Sequence, residues 1–136
     1  MDFRVAAKAF IVDGERLLII KRSSEDIQTP EAWEIPGGRL HLGEDPKAGL
    51  KRETKEETGL DIEVLHPIDV KHFTRNDGQT ITMLIFLCRA LNKNIKLSNE
   101  HSGFEWIEMN KSKEKLTEFF HEHVDKYKEI GFSKFI

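Results

Sequence analysis

The sequence predicts an α/β fold, because strand-like runs alternate with turn residues and two segments have helical character. Several short apolar runs are separated by Asp-Gly, Pro-Gly-Gly and Asn-Asp-Gly, which is typical of short strands and tight turns. One charged segment opens with Asp-Pro and closes with Thr-Gly, so both of its ends carry helix-boundary residues. A second segment near the C-terminus has apolar residues three and four apart, as an amphipathic helix requires.

Length and charge limit the classes of protein that this chain can represent. A chain of 136 residues is expected to form one domain over residues 1–136, with one substantial core. The net charge of −3, spread without a block of like charges, disfavours binding to nucleic acid through a basic face. The single cysteine, Cys88, excludes an internal disulfide, and its place in an apolar run predicts a buried strand thiol.

No feature of the sequence indicates a membrane protein. The longest apolar stretch, residues 83–88, is far too short to span a bilayer, and the first residues lack the pattern of a secretion signal. We therefore expect a cytoplasmic protein with no membrane partner.

The strands are predicted from apolar runs and from the turn residues that end them. Asp13-Gly14 joins the first two runs as a hairpin, and the polar segment 23–32 is expected to be a loop. The run at 80–90 is apolar on both alternating faces, as expected of a central strand covered on two sides. The predicted strands are 5–12, 16–21, 33–35, 61–64, 69–74, 80–90 and 104–108.

Two helices are predicted from their end residues. Asp45 is a favourable N-cap, Pro46 suits the first helical position and Gly59 suits the left-handed residue after the last turn. The first helix should therefore cover residues 46–58. Asn110 is expected to cap the second helix. The apolar stripe of that helix is expected to lie in the core and consists of Leu116, Phe119, Phe120, Val124, Tyr127 and Ile130.

The first predicted helix carries an acidic face that a helix built to close a core would lack. At 100° per residue, Glu53, Glu57 and Glu56 fall at about 0°, 40° and −60°, within an arc of about 100°. Like-charged neighbours of this kind oppose helix formation by about 0.2–0.5 kcal/mol per pair. Gly49 lies on the side of Glu53 opposite to Glu57, and its missing side chain leaves room beside the carboxylates. Only Leu50 clearly gives the helix an apolar side chain for packing.

Clustered carboxylates predict a site for a divalent cation. They resist full ionisation unless a cation compensates their charge, and oxygen ligands favour Mg²⁺, with Mn²⁺ as an alternative, over softer metals. A solvated helix with many ion pairs is the competing interpretation, and the helix carries basic residues that support it, Lys47, Lys51, Arg52 and Lys55. The glycine-rich turn just before the helix favours the cation site, because such a turn suits phosphate chemistry better than a core.

Seven residues at fixed spacing carry a resemblance to a known family. The pattern G-x5-E-x7-R-E-T-x-E-E-x-G-L runs from residue 38 to residue 60, and a chance match in a chain of this size has a probability of roughly one in a million. It resembles the Nudix box, with Thr54 where an aliphatic residue is usual. We expect Thr54 to weaken packing beneath the helix more than it affects metal binding. The seven residues are Gly38, Glu44, Arg52, Glu53, Glu56, Glu57 and Gly59.

The resemblance implies a fold, a reaction and a partner. The fold would be an α/β/α sandwich around a mixed β-sheet, and the reaction would be Mg²⁺-dependent hydrolysis of a nucleoside diphosphate linked to another group. The small size of the chain favours a (deoxy)nucleoside triphosphate pyrophosphohydrolase. ADP-ribose and dinucleoside polyphosphates are alternative substrates, and a nucleotide sensor without activity is an alternative class. The expected partner is a small nucleotide, and both a monomer and a homodimer stay open.

The same resemblance implies roles for the acidic helix and the turn before it. Glu56 and Glu57 would be the main Mg²⁺ ligands, and the Gly37 carbonyl would be a further ligand. Glu53 would bind metal or act as the base. Arg52 would fix a glutamate through an ion pair.

Residues outside this helix are implied more loosely. Glu44 would support the junction between loop and helix or reach a second ion. Glu100, on the loop before Trp106, would be an extra metal ligand, the base or an ordinary surface residue. His101 is expected to be a solvated loop residue, with help in proton transfer as the alternative. Four side chains are candidates for substrate contact, with packing roles as the alternative, and they are Arg22, Trp33, Phe73 and Arg75.

Overall fold

The computed structural model describes residues 3–131 and consists, over that range, of seven strands, two α-helices and two short 3₁₀ helices. The first half contains β1 (Phe3–Asp13), β2 (Arg16–Arg22), β3 (Trp33–Glu34), β4 (Gly37–Arg39) and α1 (Pro46–Thr58). The second half contains β5 (Ile62–Thr74), β6 (Thr80–Ala90), β7 (His101–Glu108), 3₁₀ helices at Met109–Glu114 and Glu118–Phe120, and α2 (His121–Ile130). Neither α-helix in this range is long and apolar enough to cross a membrane.

The strands form a mixed sheet with β1 at its centre. Their order is β3-β2-β1-β6-β5, while β4 pairs with β1 and β7 pairs with β2. The pairing of β1 with β6 is parallel, and the other ladders are antiparallel. Because β4 lies against β1 with Gly37 opposite Lys8, the glycine turn comes directly onto the central strand.

The two faces of the sheet bury separate apolar clusters, and one α-helix covers each face. Ala7, Ala9 and Ile11 of β1 pack in the cluster that includes Leu50 of α1. The alternate residues of β1 pack in the cluster of α2, where the Phe10 and Tyr127 ring centroids lie 5.2 Å apart. The layers therefore confirm the predicted α/β/α sandwich around a mixed β-sheet.

The first helix has the predicted bounds. The Asp45 carboxylate accepts a hydrogen bond from the Ala48 N–H at 2.9 Å, and Gly59 adopts the left-handed conformation with φ of 77°. The 13–16 hairpin and the 80–90 strand are confirmed as well. Cys88 is fully buried, as predicted, and burial raises the pKa of its thiol.

The prediction for the second helix is wrong at its start. Asn110 lies inside the first 3₁₀ helix, and α2 begins eleven positions later, at His121. The backbone between them is drawn into pairing with β3, since Leu116 bridges Trp33 and the Thr117 N–H donates to the Trp33 carbonyl at 3.0 Å. Ile130, predicted to be core, is 46% exposed at the end of the helix.

Several strand boundaries also differ from the prediction. The segments 61–64 and 69–74 are one strand, β5, because its pairing with β6 continues past Pro67 through register shifts on either side of that residue. The last strand begins at His101 rather than at residue 104. Residues 37–39, predicted only as a break, pair with β1 as the short strand β4.

Candidate active site

Glu57 is the buried member of the acidic face of α1. Its side chain points at the glycine turn, where the Gly37 N–H donates to the Glu57 Oε1 atom at 2.8 Å. The residue is only 8% exposed. Burial raises the pKa of Glu57 to about 7, outweighing the charge of Lys8 and the Gly37 hydrogen bond, which lower it. A carboxylate in this setting gains from a nearby cation.

Only glycine fits at the turn that meets Glu57. Gly37 has φ of 125°, and a Cβ atom there would lie 2.2 Å from the Ala7 carbonyl oxygen. At Gly38 a Cβ atom would come within 3.2 Å of the Glu53 Oε2 atom, so the missing side chain leaves space beside a second carboxylate. The two glycines thus bring backbone close to the acidic face of α1.

Arg52 ties together the more exposed carboxylates, and we call Glu44, Arg52, Glu53 and Glu56 the helix network. The Arg52 guanidinium bonds both Glu44 oxygens, at 2.9 and 3.0 Å. Its Nη1 atom lies 3.2 Å from Glu53 and 3.3 Å from Glu56. Hydrogen bonds from Arg52 and from the His41 N–H lower the pKa of Glu44 to about 2. The expected ion pair is present, and a catalytic role for Arg52 stays a prediction.

Gly49 gives Glu44 its position. A Cβ atom at residue 49 would lie 2.5 Å from the Leu40 side chain and 2.8 Å from the Glu44 carboxyl carbon. The room predicted beside Gly49 is therefore filled by Leu40 and Glu44, which join the loop to α1.

The donor set of α1 and the glycine turn fits a hard divalent cation. Glu53, Glu56, Glu57 and the Gly37 carbonyl offer only oxygen ligands, which suit Mg²⁺ and Mn²⁺. The three carboxylates do not converge, because Arg52 holds two of them and the Gly37 N–H holds the third. Cation binding at this place would require these side chains to turn towards each other.

A second set of charges lies beneath the turn and was not found from the sequence. We call Lys8, Arg22, Glu34 and His101 the buried network. The Lys8 Nζ atom donates to Glu34 Oε1 at 3.0 Å, and Glu34 Oε2 lies 2.8 Å from His101 Nε2 and 3.1 Å from Arg22 Nε. Burial alone would raise the pKa of Glu34, but Lys8, His101 and Arg22 outweigh it and lower this pKa to about 2.

The sequence held one signal of this network. Lys8 interrupts the apolar run 5–12 on the face that also carries Ala6 and Phe10, yet it is only 5% exposed. A charge at such a position needs a partner, but the sequence does not say which one. The expectation for His101 was wrong, because it is a buried residue of β7 rather than a solvated loop residue.

The candidate substrate residues are not all at one place. Arg22 and Trp33 lie on the paired strands β2 and β3, whereas Phe73 lies on β5 at the opposite edge of the sheet and Arg75 directly follows that strand. Arg22 pairs with Asp26 at 2.7 Å as well as with Glu34.

The other three candidates also have protein partners. Trp33 packs against the apolar cluster that α2 covers, and the Lys115 ammonium lies 5.4 Å from its ring centroid. Phe73 meets Phe119 edge to face at 5.0 Å. Arg75 lies 3.5 Å from Asp77. Their roles in substrate binding stay predictions.

Glu100 lies on a loop that runs past the end of α1. The Ser98 N–H donates to the Glu57 carbonyl at 3.0 Å, and the Glu100 carbonyl accepts from the Ser23 N–H at 2.9 Å. The Glu100 side chain is exposed. Its role as ligand or base stays a prediction.

One group of three ligand-type side chains does converge within residues 3–131, and it lies away from α1. Asp69, Glu122 and His123 have ligand atoms within 4.8 Å of one another. All three side chains already have protein partners, since His123 Nδ1 lies 2.9 Å from Asp69 and the Lys71 ammonium lies 3.4 Å from Glu122. Burial lowers the pKa of His123, and its ring joins α2 to β5 through the Asp69 carboxylate.

Comparison with known proteins agrees with the fold. The sequence model of the NUDIX domain matches residues 2–127. The chain therefore belongs to the Nudix family, whose hydrolases act on phosphoanhydride bonds.

Two curated relatives show the extent of the similarity. A "MutT-like protein" from Streptomyces ambofaciens is 32% identical over 108 residues, which is 79% of this chain and 64% of the relative. "Nucleoside triphosphatase NudI" from Enterobacter sp. (strain 638) is 30% identical over 117 residues, which is 79% of this chain and 83% of the relative. The chain thus spans about two thirds of the first relative and more of the second.

Solved structures give the same fold. A MutT protein from Methanosarcina mazei Go1 superposes with a TM-score of 0.85 at 22% identity and covers 96% of each chain. An Ap4A hydrolase from C. elegans, in a binary complex, has a TM-score of 0.77 at 21% identity, covering 93% of this chain and 96% of that one. At these identities the similarity shows the fold alone.

Proposed function

We propose that the chain hydrolyses ribo- or deoxyribonucleoside triphosphates to the monophosphate and pyrophosphate, with Mg²⁺ as the metal and Mn²⁺ as a substitute. The observation that carries this proposal is the buried carboxylate of Glu57, which faces the glycine turn on the helix that also presents Glu53 and Glu56. The relative named nucleoside triphosphatase, NudI, supports the choice of substrate.

The metal would be held by Glu56, Glu57 and the Gly37 carbonyl. When bound, Mg²⁺ supplies positive charge to the phosphate oxygens and lowers the pKa of the attacking water. Glu57 is suited to this task because its buried carboxyl, with a pKa raised to about 7, gains more from a cation than an exposed one does. A pure sensor has no evident need for three glutamates on one face.

Glu53 acts as the general base in this proposal. Arg52 Nη1 holds its carboxylate at 3.2 Å, and the absent side chain of Gly38 leaves open space beside it. Glu53 accepts the proton of water as the water oxygen attacks one phosphorus, and the bridging P–O bond breaks with the leaving phosphate taking the electron pair. Glu100 is the alternative base, and no covalent intermediate with the protein is needed.

A substrate panel tests the proposal. The protein is incubated with Mg²⁺ and, in separate reactions, each common nucleoside triphosphate and deoxynucleoside triphosphate, ADP-ribose and a dinucleoside tetraphosphate. Products are separated by ion-exchange chromatography. The expected products are a nucleoside monophosphate and pyrophosphate. Cleavage of only ADP-ribose or only the dinucleoside tetraphosphate would identify that compound as the substrate instead. No cleavage of any compound in the panel would favour a nucleotide sensor.

A matched pair of variants distinguishes activity at this site from the activity of a contaminating enzyme. Glu57→Gln changes the proposed ligand, whereas Glu63→Gln changes an exposed glutamate of β5 that pairs with Arg89. Activity that survives equally in both variants would not arise from α1.

A further inference from the structure

Lys8 uses all of its hydrogen-bonding capacity inside the protein. The ammonium group has three N–H donors, and three acceptors surround it: Glu34 Oε1 at 3.0 Å, the Ile35 carbonyl at 3.2 Å and the Gly37 carbonyl at 3.1 Å. The side chain is almost fully buried. Removing a lysine side chain from water is unfavourable, so its burial at the centre of the sheet requires an explanation.

Two of these acceptors belong to the backbone of the glycine turn. The Ile35 and Gly37 carbonyls lie in the peptide units on either side of the one that carries the Gly37 N–H. That middle unit is itself fixed at its oxygen, because the Pro36 carbonyl accepts from the Ala9 N–H at 2.8 Å. Its N–H is the donor to Glu57. Lys8 thus holds both neighbours of the peptide that positions Glu57.

We propose that Lys8 is a positioning residue, which holds the turn 35–38 so that Gly37 presents its N–H to Glu57 and its carbonyl to the metal site. The metal part of this inference rests on the proposed function. The Gly37 oxygen has two lone pairs, so it can accept from Lys8 and still face a cation. Lys8 touches neither substrate nor metal in this account and acts through Gly37.

The competing explanation is that Lys8 only balances the charge of Glu34. A double variant separates the two explanations. Lys8→Met keeps the length of the side chain and removes the ammonium, and Glu34→Gln removes the opposing charge while keeping an acceptor. If Lys8 serves only to balance Glu34, the double variant should restore the native turn. If Lys8 holds the turn, the defect should persist.

Amide hydrogen exchange, read by NMR without metal or substrate, gives the direct test. In Lys8→Met and in the double variant, the Gly37 N–H should exchange about tenfold faster than in the wild type. The Leu91 N–H, which donates to the Asp61 carbonyl at 2.8 Å, serves as the reference and should be unchanged. Wild-type exchange at Gly37 in the double variant would overturn the proposal. If Lys8→Met alone does not fold, the exchange rate of the Gly37 N–H in the double variant still provides the test.

Metal binding and kinetics then test the consequence for the site. The dissociation constant for Mn²⁺, measured by electron paramagnetic resonance, should rise about tenfold in the double variant, and kcat should fall by a similar factor with an unchanged nucleotide KM. Unchanged Mn²⁺ affinity and unchanged kcat would refute the link to the metal site. If the wild type cleaves no nucleotide, the proposed function fails, whereas the exchange of Gly37 still decides the role of Lys8.

Discussion

The helix network and the buried network use the same kinds of side chain in opposite settings. In the helix network, Arg52 binds three glutamates, of which Glu44 and Glu53 are partly buried and Glu56 is 58% exposed. In the buried network, Lys8 and Glu34 are 5% and 4% exposed. Exposed ion pairs contribute little to stability, whereas breaking a buried pair leaves an uncompensated charge in the core. The first network should therefore be adjustable, and the second should be rigid.

Glu57 lies between these networks and links them. It shares α1 with the helix network, but its partner is the turn that Lys8 holds. A rigid buried network beneath an adjustable helix network suits a site that must reorganise around a cation and a phosphate. The first three of the following predictions test this contrast, and the fourth concerns the buried side of α1.

The largest effect is expected at the junction of the two networks. Glu57→Gln should reduce kcat/KM at least about 1,000-fold, or about 4 kcal/mol, because it removes the charge of a proposed metal ligand. The fold should remain, since glutamine has the same volume and can still accept from the Gly37 N–H. Steady-state rates and a thermal melt measure both quantities, with Glu63→Gln as the control. A near-normal rate would refute the ligand role of Glu57.

Removal of the buried acid should destabilise the protein more than removal of the surface one. Glu34→Ala leaves the Lys8 ammonium without its carboxylate partner and should reduce the free energy of unfolding by about 3 kcal/mol. Glu44→Ala should have a smaller effect, because Arg52 retains Glu53 and Glu56 and is 26% exposed to water. Urea unfolding of both variants measures the difference. Equal losses would contradict the proposed contrast.

Stability of the metal-free protein should fall as the pH rises from about 4.5 to about 7. The folded pKa of Glu57, about 7, exceeds its ordinary value of 4.5, so the folded state binds the proton more tightly within this window. The full effect is about 3 kcal/mol. Glu34 acts oppositely, because its folded pKa is about 2, and its contribution is present above pH 4.5 and lost as the pH falls towards 2.

Urea unfolding between pH 5 and pH 8 measures this dependence. Glu57→Gln should remove the fall in stability with rising pH, while the lowered pKa of His123 acts in the opposite direction in both proteins. Mg²⁺ should restore stability at pH 8 if the cation compensates the Glu57 charge. An identical slope in wild type and Glu57→Gln would show that another group titrates.

The smallest expected change in stability concerns the buried side of α1, where Thr54 and Thr58 are both fully buried. The Thr58 hydroxyl donates to the Thr54 carbonyl at 2.7 Å, whereas the Thr54 hydroxyl has no partner. Thr54→Val should therefore stabilise the protein by about 1 kcal/mol, and Thr58→Val should destabilise it by a similar amount. Thermal and urea unfolding compare the matched pair. Destabilisation by both substitutions would mean that the Thr54 hydroxyl is bound in solution.

The sequence predicted the parts of the site that depend on short-range spacing. Arg52, Glu53 and Glu56 lie on one helix and Glu44 lies just before it, so helix geometry and a short connection place them together. The bounds of α1 followed from Asp45, Pro46 and Gly59 for the same reason, because capping is local.

The buried network could not be predicted in this way. Glu34 is 26 residues from Lys8 and 67 residues from His101, and the three residues come from β1, β3 and β7. Only the order of strands in the sheet brings them together. The error at the second helix has a similar origin, since pairing of Leu116 with Trp33 overrides a local pattern that favours a helix.

The position of a bound metal decides whether α1 and the glycine turn hold the cation. A crystal grown with Mn²⁺ and a non-hydrolysable nucleoside triphosphate analogue should show an anomalous peak beside Glu56 and Glu57, within bonding distance of the Gly37 carbonyl. A crystal with no peak at these residues, or with its only peak at Asp69, Glu122 and His123, would contradict the account.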